Sequence, residues 1–149
     1  MTGKLGENIL CTIAFAPAQI GAATVYYNGT SLSDLTADGI DTRDADNAVF
    51  VLSFGTVQGA AASIANAVYE SDTNLAAGAT LVTGASFTAK TAGEKSVQTG
   101  LVKCKDLKRY LWLRTEITGA PVTAQFSSIC NLGKVDSVET KSGTDIFDV

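Results

Sequence analysis

The chain has 149 residues, of which 46% are hydrophobic and 17% charged, and its net charge is −4. That length corresponds to one domain, which buries roughly 70% of its unfolded surface without needing a disulfide or a metal. Eleven Lys and Arg against 15 Asp and Glu argue against a nucleic-acid-tracking surface, and zero histidines remove the usual general base and a common metal ligand. The sparse charge suggests a surface that is partly covered by something else.

Residues 1–23 read as an Ala/Gly-rich N-terminal arm. The apolar stretch from Ile9 to Ala16 lies behind Glu7 and is interrupted by Thr12, with Pro17 just beyond it, so it does not read as a secretory leader. No run approaches the ~20 apolar residues that span a bilayer, and the expectation is a soluble chain made inside the cell, with no membrane partner. Residues 24–47 are rich in turn formers, with NGT, DGI and DADN as punctuation.

From Ala48 onward the pattern changes to short runs of Val, Ile, Phe, Thr and Tyr bounded by Gly, Asp and Asn. Residues 48–54, AVFVLSF, are apolar almost throughout and predict a strand buried on both faces. Residues 63–71, SIANAVYES, predict a second strand, although the Ala-rich window over 59–70 also admits a helix. Further strands are expected over 80–88, 94–104, 108–117 and 122–132, six or seven in all. In KRYLWLRTEI, Leu111, Leu113, Thr115 and Ile117 share one face, and Tyr110, Trp112, Arg114 and Glu116 share a wetter one.

Repeated short strands close into two packed sheets, because a lone sheet leaves an apolar face and its edges bare. The predicted fold is all-β: a β-sandwich, immunoglobulin-like or jelly-roll, over residues 24–133, with extended N- and C-terminal arms. Residues 134–149 are polar and acidic up to a terminal IFDV. They read as a C-terminal tail, or as an arm whose Ile146, Phe147 and Val149 dock on a neighbouring subunit.

The candidate chemistry is thin. Cys11, Cys104 and Cys130 are an odd number without close spacing and read as reduced thiols. GxSxG, SxxK and P-loop signatures are absent from the sequence. Glu70 and Glu116 could in principle act as a glycosidase pair, with Glu94 at a strand end, but strand glutamates are commonly polar-face residues. Asp34, Asp38, Asp41, Asp44 and Asp46 supply hard oxygen ligands without EF-hand spacing, and aspartates are also favoured in turns. Asn28 opens a glycosylation sequon outside any secretory context. Lys103, Lys105, Lys108 and Arg109 form the one local basic cluster and read as a solvated strand entry. Trp112, Tyr110, Tyr26 and Tyr27 are the aromatics a sugar platform would need. No catalytic, metal or cofactor-binding residue is assigned, and the chain is expected not to be an enzyme.

The ordered pieces AVFVLSFGTVQG, AVYESDTNLAAGATLVTGASFTA and KRYLWLRTEITGAPVTAQFSSICNLG resemble a family of small virion proteins of tailed bacteriophages. Some members of that family are head-decoration, or cement, proteins. The resemblance covers roughly residues 24–133. ESDT departs from the family's ESDD-like turn, and the acidic tail is longer. The resemblance implies a capsid-bound homo-oligomer, dimer or trimer, on the outside of an icosahedral head. Its partners would be the major capsid protein and copies of itself, with no nucleic acid. A tail or baseplate component and a carbohydrate-binding module are the alternatives.

Overall fold

The computed structural model describes residues 10–21, 25–31, 38–59, 63–119, 123–133 and 145–148. Its strands in chain order are β1 (Leu10–Gly21), β2 (Val25–Tyr27), β3 (Thr30–Ser31), β4 (Ile40–Asp41), β5 (Asn47–Phe54), β6 (Ser63–Ser71), β7 (Thr80–Ser86), β8 (Lys90–Thr91), β9 (Ser96–Lys103), β10 (Tyr110–Thr118), β11 (Thr123–Gly133) and β12 (Asp145–Asp148). One turn of 3-10 helix, Cys104–Asp106, links β9 to β10. The helix that residues 59–70 admitted does not form over 63–70. There Ile64, Asn66 and Val68 are buried while the residues between them are half-buried, the period of two that a sheet imposes.

The strands form two sheets. The first has the order β1-β11-β5-β9-β12 and the second β3-β2-β10-β6-β7, with β4 added to β10 and β8 to β6. Every pairing is antiparallel except β12 on β9. The pairs β1·β11, β2·β10, β5·β9 and β6·β7 are nested, with β1 and β11 outermost and β6 and β7 innermost, as neighbours along the chain. An antiparallel ribbon folded over itself in this way is a jelly roll. Of the two sandwich types the sequence left open, the connectivity selects this one.

The core lies between the sheets. Phe50, Leu52, Phe126 and Val102 of the first sheet meet Leu111, Leu113, Ile117, Ile64 and Val68 of the second. Phe126 makes an edge contact with Phe15 at 4.8 Å and a tilted one with Phe54 at 4.8 Å, arrangements favoured by the aromatic quadrupole. Polar side chains are buried there as well: Thr115 Oγ1 donates to Asn66 Oδ1 at 2.7 Å and Gln98 Nε2 donates to the Thr88 carbonyl at 2.7 Å, while Asn66 Nδ2 and Ser128 Oγ are buried without a hydrogen-bond partner among the described residues.

Two expectations about the ends change. Residues 10–21, expected as part of an arm, form β1 and pair with β11 along its length. There a register irregularity lets the consecutive residues Ala14 and Phe15 both face the core, a pattern that strict alternation does not reveal. Residues 145–148, expected in a free tail or an arm on another subunit, add to β9 of the same chain. Residues 1–9, 134–144 and 149 lie outside the described residues.

Candidate interaction faces

Each sheet has an outer face, and the two differ. On the second sheet, Trp112 points away from the core but is completely buried. It is covered by the segment at Gly39 and by the β6–β7 loop, whose Ala76 packs with Trp112 and Tyr27 in a small second core. A Cβ on Gly39 would lie 2.6 Å from the indole, so only glycine allows this approach. Polar groups tie the cover down. Asn74 Oδ1 accepts from the Gly39 N–H at 2.6 Å, and Asn74 Nδ2 donates to Asp38 Oδ1 at 3.0 Å. Asn28 Oδ1 accepts from the Leu113 N–H at 2.8 Å, and Asn28 Nδ2 donates to the Asp38 carbonyl at 2.9 Å. The sequon asparagine is thus a structural clamp, held at a positive φ of 45° that asparagine tolerates better than most residues.

This placement corrects the wetter face expected for β10. Trp112 cannot offer its ring to a sugar, so a carbohydrate platform would lack its principal residue. Beside the cover, Tyr69 stands edge-on to Tyr27 at 5.9 Å, and the Arg114 guanidinium lies 5.5 Å from the Tyr69 ring centroid. Leu81, opposite Tyr69 across the β6–β7 pair, and Leu75 in the loop are about half exposed, at 47% and 50%.

The first sheet's outer face is nearly uncharged over β5, β9 and β11. The outward positions are 47, 49, 51 and 53 of β5, 97, 99, 101 and 103 of β9, and 125, 127, 129, 131 and 133 of β11. They carry a single charged residue, Lys103 at the end of β9. Ile129, Val51 and Thr99 stand in one cross-strand row, and Val97 lies two residues further along β9. Val97 is 47% and Ile129 37% exposed. A solvent-facing strand surface normally alternates apolar inside with polar or charged outside. This one is polar but almost uncharged, with Asn47, Ser53, Thr99, Gln125, Ser127 and Asn131 among its outward residues, and outward Leu101 and Val49 are buried.

The remaining candidate residues are dispersed. Glu70 lies opposite Leu111, on the core-facing side of the β6–β10 pair, whereas Glu116 lies opposite Ala65 on the outer side. The two carboxylates therefore cannot flank one glycosidic bond. Glu70 accepts the Lys108 N–H at 2.9 Å, Glu116 pairs with Arg114 at 2.7 Å, and Glu94 accepts from the Thr91 hydroxyl at 2.9 Å. Asp41 takes a two-point contact from Arg109 at 2.8 and 3.2 Å and another from Arg43 at 3.0 Å, while Asp38 serves the Trp112 cover. Among the described residues no set of three acidic or thiol side chains converges to hold a metal ion; Asp34 lies outside them. Of the basic cluster, Arg109 is committed to Asp41, and Lys108 Nζ donates to Thr80 Oγ1 at 3.3 Å.

Cys11 is exposed and the other two thiols are buried. Burial, with the Asp46 carboxylate nearby, pushes the Cys104 thiol from 9.0 up to about 11. Burial pushes Cys130 up further still. A raised folded value means that the stabilisation is complete below about pH 9 and is lost as the pH climbs through about 11. The rise at Cys104 corresponds to at most about 3 kcal/mol. Urea unfolding at pH 8 and pH 11 should show a loss of this order, and Cys104→Ala should reduce the alkaline loss.

The fold is that of a jelly-roll β-sandwich that exposes Val97 and Ile129 on the outside of one sheet and Leu75 and Leu81 at the other. No family model matches the chain, and no curated protein is significantly similar to it.

Proposed function

We propose that this protein is a capsid decoration, or cement, protein of a tailed bacteriophage, a non-catalytic module that binds the outer surface of the icosahedral head. The observation that carries this reading is the outer face of the first sheet, whose outward positions on β5, β9 and β11 hold one charge and expose Val97 and Ile129. A weakly charged face suits a broad protein contact, in which the buried centre is depleted of charge. Exposed Leu75 and Leu81, on the other sheet and its β6–β7 loop, offer a second place of contact, as bridging two neighbouring capsid subunits requires. The ordered motifs of residues 24–133 resemble the virion family and support the same reading. So does the jelly roll, an architecture that occurs in viral capsid proteins, although a fold by itself does not assign a function. A shell offers many equivalent sites, so each copy that binds stabilises the assembled state by mass action.

The test is a cryo-electron microscopy reconstruction of particles from the source phage, followed by rebinding of purified protein to shells that lack it. Density in many copies on the head is the expected result. The pair Val97→Asp and Ile129→Asp should lower rebinding at least tenfold with little change in stability, because both side chains are well exposed. A bare head, with the chain in the tail or missing from the particle, would overturn the reading. Unchanged rebinding by the double variant would remove the first sheet's face from it.

A further inference from the structure

Among the described strands the C-terminal one is the only one paired in parallel, and it occupies the open edge of β9. Asp145, Ile146, Phe147 and Asp148 pair with Gln98, Thr99, Gly100 and Leu101. The strand also approaches β7 of the other sheet, so it seals one side of the sandwich. Without it, the outer edge of β9 would present unpaired backbone donors and acceptors, a ready template for another chain.

We propose that β9 accepts the same C-terminal strand from a second copy, so that neighbouring subunits exchange residues 145–148. The register and the connection carry this inference. Gly133, where β11 ends, lies in one row with Asn47 and Lys103, whereas β12 begins opposite Gln98, five positions back along β9 and three strands away from β11. At about 3.3 Å per residue and 4.8 Å per strand, that is a displacement of about 22 Å. The twelve residue steps from 133 to 145 can cover about 40 Å when extended.

The connection thus has nearly twice the reach its own docking site needs. Its sequence, KVDSVETKSGT, holds two apolar residues, Val135 and Val138, and no proline or aromatic. A four-residue parallel edge strand is also among the least secure elements of a sheet. Exchange remakes every backbone bond in the same register, so it trades one docking event for an identical one and leaves the core alone. In a dilute monomer the tether favours self-docking through its high effective concentration. Copies held side by side remove that advantage. The inference deepens the homo-oligomer that the virion-family resemblance implies, rests on that part of the reading, and does not require the capsid.

The test uses the full-length protein with Cys11, Cys104 and Cys130 replaced by Ser, Ala and Ala. One preparation carries Thr99→Cys alone and a second carries Ile146→Cys alone; these are register partners. The two are mixed at high concentration, unfolded and refolded together, and treated with a short thiol crosslinker. A covalent heterodimer on a denaturing gel is expected. It should be lost when Ser127→Cys, on β11 and two strands from β9, replaces Thr99→Cys in the first preparation. A heterodimer that persists with Ser127→Cys would mean collision without docking and would also overturn exchange. A chain carrying both Thr99→Cys and Ile146→Cys reports whether the strand docks at all. Intramolecular crosslinking in that chain, with no heterodimer in the mixture, would overturn exchange. No crosslink in either would overturn the β9 docking site itself. Because no capsid is present, any of these failures leaves the head-binding reading to its own experiment.

Discussion

Replacing Trp112 with Ala should cost about 3–5 kcal/mol, the range for removing a fully buried large aromatic. The indole is completely buried and is packed by Tyr27, Ala76, Tyr69, Tyr110, Val25 and Ala79. Its loss would open a cavity beneath two loops that are held largely by polar contacts around it. Since domains of this size have total stabilities of roughly 5–15 kcal/mol, the variant should approach the limit of folding. Its melting temperature should fall by about 10 °C or more. Equilibrium urea unfolding, compared with the parent at matched slope, checks this; a loss below about 1 kcal/mol would mean that the cover does not depend on the indole. Gly39→Ala probes the same contact from the other side, because its Cβ would fall 2.6 Å from the ring, and it should destabilise by about 1–3 kcal/mol. The two changes should add only in part, since removing the ring removes its contacts with the new Cβ but leaves Tyr110 Cβ at 2.9 Å.

Asn28→Ala should cost about 2–4 kcal/mol, from two separable sources. The side chain accepts the Leu113 N–H and donates to the Asp38 carbonyl, and an unsatisfied, partly buried N–H costs about 1–3 kcal/mol. Alanine at φ 45° adds about 1 kcal/mol of backbone strain that glycine avoids. Asn28→Gly should therefore recover about 1 kcal/mol of the loss while the hydrogen bonds stay broken. Equal stabilities for the two variants would show that the backbone relaxes out of the positive-φ region. A lower amide protection at Leu113 in hydrogen exchange would locate the effect.

Both predictions concern the cover on the second sheet, and both involve features that local pattern leaves open. Trp112 and Tyr110 alternate with leucines in KRYLWLRTEI, so their common face is legible, and the strand that carries them is β10. Period two reports only which side of the sheet a residue takes. Whether that side meets water or a loop depends on residues far away in sequence: Asn28, Gly39, Asn74 and Ala76 cross the chain to reach it. The NGT motif likewise reads as a turn and a sequon, and only the pairing of β2 with β10 brings its side chain to the Leu113 N–H.

The sequence by itself determined the class of fold. The runs that became β5, β6, β9, β10 and β11 are visible as β-rich segments between turn formers, and Leu111, Leu113, Thr115 and Ile117 are the buried face of β10. These signals are local, since alternation and turn chemistry act over a few residues. Tertiary structure alone decided the rest. The nested pairing that selects a jelly roll, the inclusion of β1 and the docking of β12 on β9 join segments distant along the chain. In β7, the positive φ of Gly84 and a shift in register let both Val82 and Ala85 reach the core, three residues apart instead of two. Backbone hydrogen bonds are chemically alike in every strand pairing, so they do not choose among partners. That choice falls to the burial of side chains from distant strands against one another, which becomes definite only when both sheets are assembled.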